Sequence, residues 1–210
     1  MRQNRDAREK FCYIFGMQPN PILQFEIWFK KANACKEIKL PDAACLSTID
    51  PDGYPEGRIV LVRDFDERGF VFYTNRQSTK GKSLHLTPRA SLTFFWEPLL
   101  YQVRIQGDVE VADDDQSDDY FKKRPRDSRI AAWASNQSKV LTDRSLLESK
   151  VDALEAKFKG KDVPRPPHWG GYRVVPRKIE FWIDRAHRLH DRYLYTKSKN
   201  GAWTMRRLYP

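Results

Sequence analysis

The apolar positions of this chain change period twice, and each change marks a boundary. After Pro21, residues Ile22, Phe25, Trp28 and Phe29 recur at helical spacing, which predicts a helix to about Ala34 with proline in its first turn. From Ala43 to Glu110 the period is two. Strands are expected over Ala43–Ile49, Arg58–Arg63, Phe70–Thr74, Ser91–Trp96 and Leu100–Val111, with Asp50-Pro-Asp-Gly53 as a turn. A short helix, Lys80–Leu86, interrupts them and stops before Pro88.

The helical period then returns in Asp114–Arg124, Ser128–Ser135 and Asp143–Lys159. The last carries Leu147, Val151, Leu154 and Phe158 on one stripe, with Ser145 and Glu148 as a capping box. A proline-rich linker over Val163–Pro167 leads to a strand pair running from Trp169 through Trp182. Tyr193–Tyr195 and Trp203–Leu208 finish the sheet as a hairpin turning at Asn200-Gly201. Consecutive strands joined by short turns imply an antiparallel barrel or sandwich, a mainly β fold with flanking helices.

Composition narrows the function classes. The 210 residues carry 38 Lys and Arg against 28 Asp and Glu, a formal charge of +10, which favours an anionic partner. The basic residues are interleaved with acids, which disfavours nucleic acid. Cys12, Cys35 and Cys45 are too few and too irregular for a disulfide framework or a zinc site, and a reducing, cytoplasmic compartment is the expectation. No apolar run reaches the length of a membrane span.

Three constellations carry candidate chemistry. Thr74, Ser78, Thr79 and Lys80 surround a strand-to-helix junction, where free N–H groups, hydroxyls and an ammonium suit a phosphate; a helix cap with solvated lysines is the competing reading. Arg58 and Arg63, five positions apart, leave opposite faces of their strand. Tyr120, Arg124 and Ser128 place a phenol, a guanidinium and a hydroxyl near a helix start, either as a second phosphate grip or as a tied-down turn. Gln137-Ser138, after Trp133, either meets a heteroaromatic edge or caps a helix. Glu180–Arg192, reading EFWIDRAHRLHDR, sets Arg188, His190 and Arg192 beside Phe181 and Trp182, a combination suited to a planar anion. No nucleophile elbow, Walker A loop or dinucleotide fingerprint is present. Abundant phosphate-binding groups without a nucleophile point to chemistry done by a cofactor.

These motifs, taken in order, resemble the pyridoxine (pyridoxamine) 5′-phosphate oxidase family. The resemblance runs from about Pro21 to Pro210 through Arg58-Ile-Val-Leu, Phe72-Tyr-Thr-Asn75, Phe95-Trp-Glu-Pro, Gln102-Val-Arg, Tyr120-Phe with Arg124-Pro-Arg-Asp-Ser128, Gln137-Ser138, Trp169-Gly-Gly171, Glu180-Phe-Trp182, Arg188-Leu-His-Asp-Arg192 and an Arg-Leu-x-Pro ending. It implies an FMN-binding split β-barrel over 21–210 with a helical insertion at about 114–160, preceded by an arm or partial lid over 1–20. It also implies a homodimer with two sites at the subunit interface, acting on phosphorylated B6 vitamers with dioxygen as acceptor.

By the same resemblance, Arg58, Ile59, Val60, Leu61, Val62, Arg63, Tyr73, Thr74, Thr79, Lys80, Gln102, Gln137, Ser138, Trp182 and Arg192 would surround FMN. Arg63, Tyr120, Arg124 and Ser128 would grip the substrate phosphate, with Arg188 and His190 over the pyridine ring near the reacting carbon. No metal is implied. A catalytically weak binding protein for pyridoxal phosphate or flavin, or a related flavin oxidase with another substrate, is the alternative. Four positions depart from the family's common residues: Arg63 for lysine, Thr79 for arginine, Tyr101 for arginine and Ile183 for glutamine.

Overall fold

The computed structural model describes residues 16–210, so Phe11, Tyr13 and Phe15 of the expected arm lie outside the described residues. A first helix, α1 (Pro21–Ala34), precedes β1 (Ala43–Ile49), β2 (Pro55–Asp66) and β3 (Gly69–Asn75). Then come α2 (Thr79–Leu86), β4 (Arg89–Trp96) and β5 (Tyr101–Val111), followed by α3 (Asp114–Lys122), α4 (Arg126–Ala134) and α5 (Arg144–Lys157). The chain ends in β6 (Trp169–Ile183), β7 (Asp191–Lys197) and β8 (Trp203–Leu208).

All pairings are antiparallel, in the order β3-β2-β1-β4-β5-β6-β7-β8, and a further β3–β6 pairing closes β1 to β6 into a six-stranded barrel. This is the split β-barrel that the alternating pattern and the resemblance predict. Helix α1 caps one mouth. Phe25, fully buried, meets Phe65 at 4.9 Å, Phe70 at 4.9 Å, Phe94 at 5.1 Å and Trp96 at 5.9 Å, rings from the ends of three strands. Burying a ring of that size contributes about 2–3 kcal/mol. Asn20 accepts the Ile22 N–H at 2.9 Å and sets where the helix begins.

Strand β6 does two jobs along one edge. Its first part, Trp169 to Val174, pairs with β3 and closes the barrel; its last part, Lys178 to Ile183, pairs with β7 and leaves the barrel. Between them stands Pro176, which has no N–H to offer either neighbour. There β5 slips register between Gln106 and Gly107, and a Cβ on Gly107 would sit 2.0 Å from the Val175 carbonyl oxygen. The expected strand pair from Trp169 to Trp182 is therefore one continuous strand of 15 residues, because the slip absorbs the proline without breaking the ladder to β5.

The helical block differs from expectation in detail. Helix α3 ends at Lys122, so Arg124 follows the helix rather than riding on it. Asp143, not Ser145, caps α5: its carboxylate accepts the Ser145 N–H at 2.7 Å, while Glu148 pairs with Arg144 at 2.9 Å. No residue within α5 is fully buried. Val151 and Leu154 pack onto a small satellite cluster of Ile130, Phe158 and Val163, separate from the barrel core.

Substituting Gly107→Ala forces Cβ onto the Val175 carbonyl. It should cost about 3 kcal/mol, the upper end of overpacking penalties, and lower the midpoint of thermal unfolding by roughly 10 °C.

Candidate active site

A cleft of about 750 Å³ opens between β2, β3, the start of α2 and the α3–α4 corner. Four cationic side chains line it, Arg63, Lys80, Lys123 and Arg124, and among the described residues no carboxylate does. That imbalance defines the site.

Lys80 lies in the first turn of α2, where Ser78 is the N-cap. Its ammonium donates to Thr74 Oγ1 at 3.3 Å, Ser78 Oγ at 3.3 Å and Gln137 Oε1 at 3.0 Å, all neutral acceptors. Burial, with Arg58 nearby, pulls its pKa below the ordinary lysine value. The Arg58 guanidinium itself bonds Thr48 Oγ1 at 2.6 Å and pairs with Glu56. Arg58 does not line the cleft, whereas Ile59, Val60, Leu61 and Arg63 do.

A second cationic group sits across the cleft. Tyr73, Tyr120 and Trp169 lie nearly parallel, with Tyr73–Tyr120 at 4.1 Å and Tyr73–Trp169 at 5.4 Å between ring centres. Arg124 lies over the Trp169 ring at 4.9 Å, and its Nη1 is buried without a hydrogen-bond partner. Burial lowers its pKa, while the Tyr120 phenol opposes and Arg63 reinforces that shift. Burial, with Asp64 beside it, pushes the Tyr73 phenol up to about 12, so it stays neutral. Ser128 completes this end. Within the same run Arg126 turns away, donating to the Phe158 carbonyl at 2.8 Å and the Lys161 carbonyl at 3.0 Å.

The expected site residues thus divide between two places. Ile59, Val60, Leu61, Arg63, Tyr73, Thr74, Lys80, Tyr120, Arg124, Ser128 and Gln137 line the cleft. Val62 faces the core, and neither the exposed Thr79 nor the exposed Ser138 belongs to the lining. Gln102, Trp182, Arg188, His190 and Arg192 lie elsewhere, on the β5–β6–β7 face and the loop beside it. Gln102, Trp182 and Arg192 are aligned across three neighbouring strands. Trp182 stands twelve residues along β6 from Gly170, which pairs with cleft residue Thr74; that is a contour of roughly 40 Å.

In this second group His190 packs on Trp182, ring centres 4.6 Å apart, and its Nδ1 lies 2.9 Å from Asp184. Arg192 donates to Glu180 at 2.8 Å. Arg188 is exposed with φ +61°, an uncommon backbone for a side chain of its size.

Two of the four departures from the family's common residues lie in packing. Tyr101 and Ile183 are direct cross-strand partners, and Tyr101 stacks on Trp28 at 4.0 Å. Trp169 and Asn75 are cleft residues to which the sequence assigned no role. Trp169 was visible only as the head of a Trp-Gly-Gly motif. The two glycines admit its neighbours: a Cβ on Gly170 would meet the Arg76 guanidinium at 2.3 Å, and one on Gly171 would meet Tyr73 at 2.9 Å.

The fold defines a split-barrel protein, and the cationic lining of its cleft suits anionic ligands. Residues 31–158 match the family model described as pyridoxamine 5′-phosphate oxidase, and residues 169–210 match that of the pyridoxine 5′-phosphate oxidase C-terminal dimerisation region. A pyridoxine/pyridoxamine 5′-phosphate oxidase of Gloeothece citriformis is 50% identical over 192 residues, covering 91% of this chain and 89% of that protein. One of Burkholderia thailandensis is 50% identical over 196 residues, covering 92% and 91%. The crystal structure of PhzG from Burkholderia lata, solved with tetrahydrophenazine-1-carboxylic acid, superposes with a TM-score of 0.86 at 31% identity, covering 92% of this chain and 94% of that one. The chain belongs to the pyridoxamine 5′-phosphate oxidase family.

The residues present fit FMN. The phosphate would take the Lys80 end, where the ammonium has only neutral partners in its hydrogen bonds, and Gln137 offers an amide for a ring edge. In the free protein the Lys80 cation is present at neutral pH and lost as pH rises through its lowered pKa. FMN binding, followed by flavin fluorescence, should therefore weaken on the alkaline side, below the ordinary lysine value of 10.5. Riboflavin, lacking the phosphate, should show no such limb, and Lys80→Met should weaken FMN about 30-fold and remove it.

Proposed function

We propose that the protein oxidises the 4′ carbon of pyridoxine 5′-phosphate or pyridoxamine 5′-phosphate to the aldehyde of pyridoxal 5′-phosphate. FMN is the cofactor. When bound, it would supply a two-electron acceptor for a hydride equivalent from the 4′ carbon while the hydroxyl or amine proton leaves to solvent, with dioxygen reduced to hydrogen peroxide; from the amine, the imine so formed would take up water and release ammonia. The observation that carries this reading is one cleft with two separate cationic ends, Lys80 with Thr74 and Gln137 at one, Arg63 with Arg124, Tyr120 and Ser128 at the other. Two phosphorylated ring compounds held side by side need that arrangement.

The chain's own residues bind, orient and polarise. Arg124 has a buried N–H awaiting an acceptor, which a phosphate oxygen would satisfy. Its seat on Trp169 fixes the guanidinium plane, so the substrate would be anchored by its phosphate and its ring positioned relative to the flavin. Arg188, always protonated, would supply orientation and positive charge rather than act as a base. His190, whose Nδ1 accepts the Arg185 N–H at 3.2 Å and lies 2.9 Å from Asp184, would present its other nitrogen to the 4′ substituent.

Because Gln102, Trp182, Arg188, His190 and Arg192 lie far from the cleft of their own chain, they would complete the cleft of a second copy. The match of residues 169–210 to a dimerisation region supports this homodimer, and that span includes four of the five. Among the described residues no helix is long and apolar enough to cross a membrane.

Aerobic turnover of pyridoxine 5′-phosphate by FMN-reconstituted protein should yield many equivalents of pyridoxal 5′-phosphate per site. Arg124→Ala should lower kcat/KM about 100-fold, since it removes one charged partner of a buried phosphate contact. Flavin-loaded protein that leaves this substrate untouched but oxidises a tetrahydrophenazine carboxylate would replace the reading with that of a carboxylate-directed oxidase.

A further inference from the structure

The Arg63 guanidinium is not free to swing. Among the described residues it makes one hydrogen bond, from Nη1 to Asp42 Oδ2 at 2.6 Å. Asp42 is not part of the cleft lining, and its side chain is only 17% exposed. It therefore grips Arg63 from behind and leaves the other N–H groups to the cleft.

The mounting of Asp42 is rigid. Trp96 Nε1 donates to the Pro41 carbonyl at 2.9 Å, and the Val62 N–H donates to the Asp42 carbonyl at 2.8 Å. The next residue, Ala43, starts β1 opposite Leu61. On the other strand, the register of β2 against β3 slips between Val62 and Asp64, so Arg63 is the unpaired residue of the irregularity. Such slips re-aim a side chain, and a re-aimed arginine with a long flexible stem needs a second contact to hold its direction.

We propose that Asp42 is a positioning residue of the cleft, presetting Arg63 so that its fork meets a phosphomonoester dianion. The proposal rests on the oxidase reading only for the name of the ligand; the geometry asks for a phosphate whatever ring carries it. Two effects of Asp42 oppose each other. Its charge reduces the positive field of the cleft, and its hydrogen bond fixes the guanidinium. At a site where Arg63 is 38% exposed the charge effect is screened, so orientation wins.

The test uses FMN-loaded protein and 4′-deoxypyridoxine 5′-phosphate, which binds but has no 4′ hydroxyl to oxidise, with 4′-deoxypyridoxine as the unphosphorylated control. Asp42→Ala should raise the Kd of the phosphate ester about tenfold, while FMN affinity and binding of the control stay unchanged. Asp42→Asn keeps an acceptor for Nη1 and should recover most of the loss. With pyridoxine 5′-phosphate the Ala variant should raise KM and leave kcat within about twofold. Tighter or unaltered binding of the ester in the Ala variant would overturn the proposal, as would equal weakening of ester, control and FMN. If the wild type prefers the ester but turns over no pyridoxine 5′-phosphate, the oxidase reading fails while the Kd comparison still decides the role of Asp42.

Discussion

The exchange of partners along β6 is the constraint on which the rest of the structure depends. A strand has two edges. One edge of β6 is taken by β5 along most of its length; the other is given first to β3 and then to β7. The first gift closes the barrel and brings Trp169 beside Tyr73 and Tyr120, making the aromatic wall that seats Arg124. The second carries Trp182 and Arg192 outward on a sheet that the barrel does not need for closure. Both groups of expected site residues hang from one continuous backbone, and Pro176 with Gly107 makes the change of partner possible.

The cleft is organised by charge without counter-charge. Among the described residues its lining holds four cations and no carboxylate, and the anion that steadies Arg63, Asp42, stands outside it. Arg124 is steadied by an aromatic face instead, which fixes the plane of the guanidinium while leaving a donor unmatched. The ends are thus oriented in advance but not neutralised, which suits ligands that bring their own negative charge.

Much of this was legible in the sequence, and the limits have physical causes. Strands β1 and β8 and helix α1 match their expected bounds, because alternation and a proline start are local signals. The cationic lining of the cleft was legible because hydroxyls, lysine and arginine cluster at helix starts. Strand β6 was read as a pair, yet it runs unbroken past Pro176 because the register slip against β5 accommodates the proline. The capping box at Ser145 lost to Asp143, one of two good candidates two residues apart. Asp42 was invisible: an acid before a strand is common, and its meaning comes from Arg63, 21 positions away. Tyr101 and Ile183 looked like changes at the site until their pairing and the Trp28 stack placed them in packing.

The continuity of β6 also limits how this chain can vary in length. Side chains on a strand alternate faces, so one residue inserted between Arg177 and Ile183 would turn Trp182 from one face to the other and carry β7 out of register with it. The turns around Gly53 and Gly201, where an added Cβ would meet nothing within 4 Å, have no such coupling. Insertions and deletions in descendants of this sequence should therefore collect in those turns and spare the strand, which acts as a ruler between the cleft and the Trp182–Arg192 face.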